Sequence, residues 1–284
     1  MDNAHEIIEQ ARHEVAARRH ATTRVRDDRP WTWSFVALAL TLLAGLFLLP
    51  IRGLDYRLQM VVHGVCAQAH YVDFGPFRMP LCARNTGIYS GFLGTLLFVL
   101  ASRRLRAAIL PPLTVTLVLV LGALAMVLDG LNSLLLDIGG FHFYTPHNEL
   151  RVATGLMMGM MLGIFLPYLL NITLGASLRS EQRILGSWLD YVALLLLNIG
   201  IYLLVFFGPV WIYYPLALFS VAGIASVLFV ANLFVLSMVG GLEGRVRDLR
   251  QLARPATFAL VLMTGELALL AGLRIWIEQA AMPM

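Results

Sequence analysis

The chain contains no lysine; all 21 of its cationic side chains are arginine. Charged residues make up only 13% of the 284 positions against 59% hydrophobic, and the mean hydropathy is +0.76. That balance excludes an ordinary soluble domain and points to a polytopic membrane protein. Cysteine is scarce: Cys66 and Cys82 rule out a disulfide-rich scaffold and permit one internal bridge at most. No phosphate loop, G-x-S-x-G, H-E-x-x-H, C-x-x-C or nucleic-acid module occurs. The pI near 9.3 is explained by arginine at helix ends, so no nucleic-acid partner is expected.

What the chain has in abundance is long apolar runs. They occur at 32–51, 87–102, 108–136, 152–174, 188–208, 215–239 and 256–277. Each must be helical to cross about 30 Å of hydrocarbon, because lipid offers the backbone no hydrogen-bond partner. Arginine sets the orientation. With the N-terminus inside, fifteen arginines fall on the cytoplasmic side, among them Arg103, Arg104, Arg106, Arg245 and Arg254. Six fall outside or at outer ends: Arg52, Arg57, Arg78, Arg84, Arg151 and Arg274. The expected fold is therefore an all-α polytopic membrane protein with seven transmembrane helices in a bacterial cytoplasmic (inner) membrane, N-terminus cytoplasmic and C-terminus extracytoplasmic. Residues 1–30 read as a polar cytoplasmic tail, too long before the first apolar run for a signal peptide. Ile7, Ile8, Ala11, Val15 and Ala16 give that tail a helical apolar spacing. Residues 31–175 then form a four-helix unit, and residues 176–284 a three-helix module.

This orientation gathers the chemistry on the outer face. Residues 52–86 and 137–151 carry both cysteines and every histidine beyond the tail. His63, Cys66 and His70 are spaced i, i+3, i+7, one face of a helix if 58–70 is helical. With Cys82 they supply the ligand types of a tetrahedral zinc site, although H-x-x-C-x-x-x-H with a lone cysteine matches no standard finger. Zinc is thus one reading of the sulfurs. A Cys66–Cys82 disulfide, worth roughly 3 kcal/mol in the chain-entropy model, and two free structural thiols are the others.

Asp129 lies within the third apolar run. A carboxylate at membrane depth costs about 2.5–3.5 kcal/mol on insertion scales, so it needs a partner. The fourth run offers one: Asn148, Arg151 and Thr154 form a polar stripe at its outer end. An Asp129–Arg151 pair flanked by Asn132 and Asn148 is the expectation, serving either ligand binding or helix registry. Glu266, midway along the seventh run, is a candidate for proton coupling. Asn171, Asn198 and Asn232 read as interhelical glue. The rows Gly87, Gly91, Gly94 and Gly155, Gly159, Gly163 read as close-packing surfaces.

Four blocks carry a family resemblance: His63-Gly64-Val65-Cys66-Ala67-Gln68; Pro80-Leu81-Cys82-Ala83-Arg84-Asn85-Thr86-Gly87-Ile88-Tyr89; Asp129-Gly130-Leu131-Asn132; and Asn148-Glu149-Leu150-Arg151-Val152-Ala153-Thr154-Gly155. Together they resemble the bacterial membrane proteins grouped as the domain-of-unknown-function 2085 family, over about residues 55–170. The family pattern reads Cys-Ala-Arg-Cys-Thr-Gly, and Asn85 stands here at the second cysteine. It also reads Asp-Gly-x-x-Gln, and Asn132 replaces the glutamine. The resemblance marks the site and implies no reaction.

The expected function is a pocket open to the outside, lined by Cys66, Cys82, Arg84, Thr86, Asp129, Asn132, Asn148, Arg151 and Thr154. The favoured role is binding of a small polar or anionic solute or a lipid headgroup, with Arg84 and Arg151 holding the anion and translocation as an optional extension. Two alternatives are an outer-leaflet enzyme acting on a lipid or quinone with Asp129 or a histidine as base, and an accessory subunit of a membrane complex. Besides the lipid bilayer, a homo-oligomer or membrane-complex partner is compatible with the sequence, and zinc is the sole cofactor it suggests.

Overall fold

The computed structural model describes residue 9 and residues 29–50, 52–66, 70–174, 180–246 and 248–281. The helix expected from the spacing of residues 7–16 lies almost wholly outside them. In chain order the elements are α1 (Arg29–Leu48), α2 (Leu54–Val61), β1 (Tyr71–Phe74), β2 (Phe77–Cys82), α3 (Ala83–Ala101), β3 (Ala107–Ile109) and α4 (Leu113–Asp137). There follow α5 (Asn148–Leu174), β4 (Ser180–Arg183), α6 (Trp188–Phe207), α7 (Tyr213–Val239) and α8 (Ala253–Ala280). The helices α1, α4, α5, α6, α7 and α8 are long and apolar enough to cross a membrane. The other long helix, α3, is less apolar because Arg84, Asn85, Thr86 and Ser90 occupy its first half. It is also deeply enclosed, packed against α5, α6 and α7.

The element ends sort into two groups. One end of the bundle gathers the starts of α3, α5 and α7, the ends of α4 and α8, and the β1–β2 hairpin. His70 bonds Asp137, Asn148 bonds Tyr71, Tyr213 bonds Arg78, and Arg274 bonds Cys66. The other end gathers the finish of α3 and α5, the β3–β4 pair, and the α7–α8 connection. There Asn171 Nδ2 donates to the carbonyls of Leu105 and Ala107, and Arg104 pairs with Asp190. Consecutive long helices therefore run in alternating directions, with short α2 and the hairpin set between α1 and α3.

The all-α expectation needs correction. Tyr71–Phe74 and Phe77–Cys82 form an antiparallel hairpin, and Ala107–Ile109 pairs in parallel with Ser180–Arg183. The hairpin turn passes through Gly75 at φ +58°, a conformation that disfavours other residues. Phe77 of the hairpin stacks on buried Tyr213 at 4.7 Å between ring centroids. The expected helix over 58–70 is also corrected: α2 stops at Val61, and turns follow. A reason is visible at Gly64, where a Cβ would fall 2.1 Å from the Leu270 carbonyl oxygen. The chain is pressed there against the α8 backbone. One buried apolar cluster lies toward the hairpin end of the bundle, joining Leu58, Met79, Leu81, Val152, Ile201, Tyr213 and Leu267.

Candidate functional site

The site begins with two glycine rows that face each other. A Cβ on Gly87 would stand 2.4 Å from the Val152 carbonyl oxygen; one on Gly159 would stand 2.3 Å from that of Ile88. One on Gly163 would stand 2.6 Å from Thr95 Cβ. Residue numbers rise together on the two helices, so α3 and α5 run parallel with backbones in near contact. Their N-termini consequently lie side by side. Each brings the positive end of a helix dipole to one place, and each carries an arginine in its first turn, Arg84 and Arg151.

A single buried carboxylate, Asp129 of α4, enters this positive region. Arg84 Nη2 donates to Asp129 Oδ2 at 2.6 Å, to Ser133 Oγ at 2.8 Å and to the Asp129 carbonyl at 3.3 Å. The Tyr144 hydroxyl donates to Asp129 Oδ1 at 2.7 Å. Both carboxylate oxygens are thus engaged, at 2% exposure for Asp129 and 8% for Arg84. The expected Asp129–Arg151 pair is not formed: the guanidinium that reaches Asp129 comes from α3, although α4 packs chiefly against α5. Burial, then the hydrogen bond to Asp129, pushes the Tyr144 phenol up to about 12.

Asn132 braces the loop that supplies Tyr144. Its Nδ2 donates to the Tyr144 carbonyl at 2.8 Å and its Oδ1 accepts from Phe143 N–H at 2.7 Å. Asn148 donates to the Tyr71 carbonyl, tying the start of α5 to the hairpin. Thr86 and Thr154 turn their hydroxyls back to backbone carbonyls, of Leu81 and of Leu150 and Arg151.

Arg151 is left with little. It is 4% exposed, and its guanidinium forms one hydrogen bond with a described residue, from Nη1 to Asn148 Oδ1 at 3.2 Å. Its Nε is buried without a hydrogen-bond partner among the described residues. The nearest further carboxylate on α4, Asp137, is about a third exposed and faces His70 at 3.3 Å. Two guanidinium groups against one buried carboxylate give this core an excess positive charge.

The sulfurs lie at the start of α3. Cys66 and Cys82 are unbridged with Sγ atoms 2.7 Å apart, and the Asn85 N–H points at the Cys82 sulfur. The hydrogen bond between the thiols, then burial, holds the Cys82 thiol well above its ordinary range. The histidines proposed to join them turn elsewhere: His63 Nε2 meets Glu278 at 2.9 Å, and His70 meets Asp137. Among the described residues no group of three or more His, Cys, Asp or Glu side chains could hold a metal ion. Glu266 accepts from Asn232 Nδ2 at 3.0 Å, between α7 and α8, away from the elements that build the arginine cluster.

Sequence reasoning missed Tyr144 and Ser133. Ser133 was within reach, being four residues after Asp129 on the same helical face. Tyr144 sits in an irregular loop with no spacing to mark it.

No curated protein and no solved structure matches the chain. Residues 66–165, which hold Cys66, Cys82, Arg84, Asp129, Tyr144 and Arg151, match the model of the family described as "Predicted membrane protein (DUF2085)", the family the four sequence blocks resemble.

Proposed function

We propose that this integral membrane protein binds a small anion at Arg151, on the extracytoplasmic side of a seven-helix bundle whose N-terminus is cytoplasmic. The observation that carries the reading is a buried guanidinium with an unpartnered Nε, set at two parallel helix N-termini. An orphaned buried donor costs about 1–3 kcal/mol, and a desolvated cation without a counter-ion costs more. A carboxylate or phosphate oxygen would relieve both, and the helix dipoles favour it. Arg84 and Asp129, by contrast, compensate each other's charge and fix α3 against α4. They form the frame, and Arg151 is the ligand group, with Asn148 positioning it. The ligand is a small anionic solute or the phosphate of a lipid headgroup, which share this chemistry. Seven crossings and this sidedness are supported by the arginine bias and by the alternating helix directions.

The test is the thermal unfolding of the full chain in phosphatidylcholine nanodiscs, with acetate, sulfate or phosphate in the buffer or phosphatidylglycerol in the bilayer. A ligand at a hundred times its dissociation constant stabilises by about 2.7 kcal/mol. The part of the shift that depends on Arg151 is expected in the parent protein and lost in Arg151→Met. An Arg151-dependent shift with soluble anions identifies a solute site; one with phosphatidylglycerol alone identifies a headgroup. Equal shifts in the parent and in Arg151→Met would overturn the reading.

A further inference from the structure

The opposite, arginine-rich end of the bundle holds a cavity of about 470 Å³ that the arginine cluster does not touch. Leu236, Val239 and Phe258 line its apolar wall between α7 and α8, and Arg245, Gln251 and Arg254 line its polar edge. Arg254 is held in place by ring faces: its guanidinium lies 5.5 Å from the Trp31 centroid and 5.9 Å from that of Phe258. A cation–π contact uses the face of the guanidinium and leaves its N–H donors in plane and unspent. Neither Arg254 nor Arg245 has an ion pair with a described residue.

A cavity with an apolar wall formed by long apolar helices, and at its rim two guanidinium groups that form no ion pair with a described residue, matches one kind of molecule. We infer that it binds an anionic phospholipid, whose phosphate lies between Arg245 and Arg254 and whose acyl chain lies along Leu236, Val239 and Phe258. The match is of charge and of depth together. The rim faces the side where arginine gathers, and anionic lipid attracts cations near the surface. A soluble anion would use the rim and leave the apolar wall empty; a zwitterionic lipid would use the wall and repel nothing, but gain less from the rim.

Native mass spectrometry of the full chain, titrated with dioleoyl phosphatidylglycerol or dioleoyl phosphatidylcholine, reads this directly. The parent is expected to retain one phosphatidylglycerol in preference to phosphatidylcholine. The double variant Arg245→Gln, Arg254→Gln should lose that preference by about thirtyfold, as removal of two surface cations implies. Leu236→Trp, which fills the wall and keeps both arginines, should lose the bound lipid as well. Arg103→Gln with Arg106→Gln, on the same end but outside the cavity, should leave it unchanged. Equal loss in that control means general surface attraction and overturns the proposal. So does retention in the Leu236→Trp protein, or displacement of the lipid by millimolar inorganic phosphate. Arg254→Lys, which keeps the charge, shows whether a loss in the double variant comes from misfolding: it must retain most of the lipid.

Discussion

Asp129 is bound by Arg84 through a 2.6 Å hydrogen bond from Nη2 to Oδ2, and Arg151, the arginine on the neighbouring parallel helix, is left without a carboxylate. The two guanidinium groups stand at equivalent places, the first turns of α3 and α5, yet their energetic roles are opposite. Arg84 has its charge compensated in a dry environment, and removing it strands Asp129. Arg151 carries an uncompensated charge, and removing it strands no charge, only the Asn148 Oδ1 acceptor.

The first prediction follows from that asymmetry. Arg84→Met should destabilise by about 3–5 kcal/mol, the range for breaking one half of a buried pair. Arg151→Met in anion-free buffer should melt no lower than the parent. Thermal unfolding of the two variants side by side checks it; equal losses would mean that Arg151 belongs to the frame.

Tyr144 donates to the remaining oxygen of Asp129, so Tyr144→Phe should cost about 1–3 kcal/mol through the unsatisfied carboxylate. Its pH dependence has a definite sign. The folded phenol ionises near 12 against an ordinary value of 10.0. The folded chain thus holds its proton longer than the unfolded one, and this stability is fully present below pH 10 and lost between pH 10 and 12. The same stability-versus-pH curve for Tyr144→Phe should lack that decline.

For the glycine rows, Gly87→Ala and Gly159→Ala place a methyl group within 2.4 Å and 2.3 Å of a backbone oxygen. Both should separate α3 from α5 and abolish anion-dependent stabilisation together with much of the fold. Gly200 and Gly265 meet nothing within 4 Å. Alanine there should be neutral or stabilise by up to about 1 kcal/mol, the helix-propensity gain. Expression and melting temperature separate the two groups.

The thiols supply a fourth prediction. With Sγ atoms in contact, mild oxidation should join Cys66 to Cys82, so that both alkylate only after reduction, as read by intact mass. In the reduced protein Cys82 should resist alkylation well above the ordinary thiol range, because its shared hydrogen bond and burial favour the neutral form. That stabilising contribution is present below the unfolded thiol value and is lost as the pH rises past it. An impermeant maleimide that reaches Cys66 from the cytoplasmic face would contradict the proposed sidedness.

Much of the helical frame was legible in the apolar runs. The run 188–208 became Trp188–Phe207 and 215–239 became Tyr213–Val239, because lipid-crossing segments allow one backbone solution. The paired glycine rows were legible too, since small residues every four positions suit close helix contact. The hairpin was not: its strands are short, and the Gly75-Pro76 turn was the sole local mark it left. The identity of Asp129's partner was not legible either. Arg84 and Arg151 are both arginines in first turns at the same end of the bundle, and the choice between them is made by tertiary packing that no spacing encodes. The supposed histidine face over 63–70 failed for a related reason: the press of Gly64 on α8 ends the helix, and Glu278 and Asp137 then take the two rings.

The most direct test of the central claim is a structure of the full chain with selenate or bromide, read by anomalous scattering. Anion binding at Arg151 requires a peak within hydrogen-bonding distance of its Nε, absent from crystals of Arg151→Met. A clear map with no anion there, at concentrations that saturate the thermal shift, would contradict it.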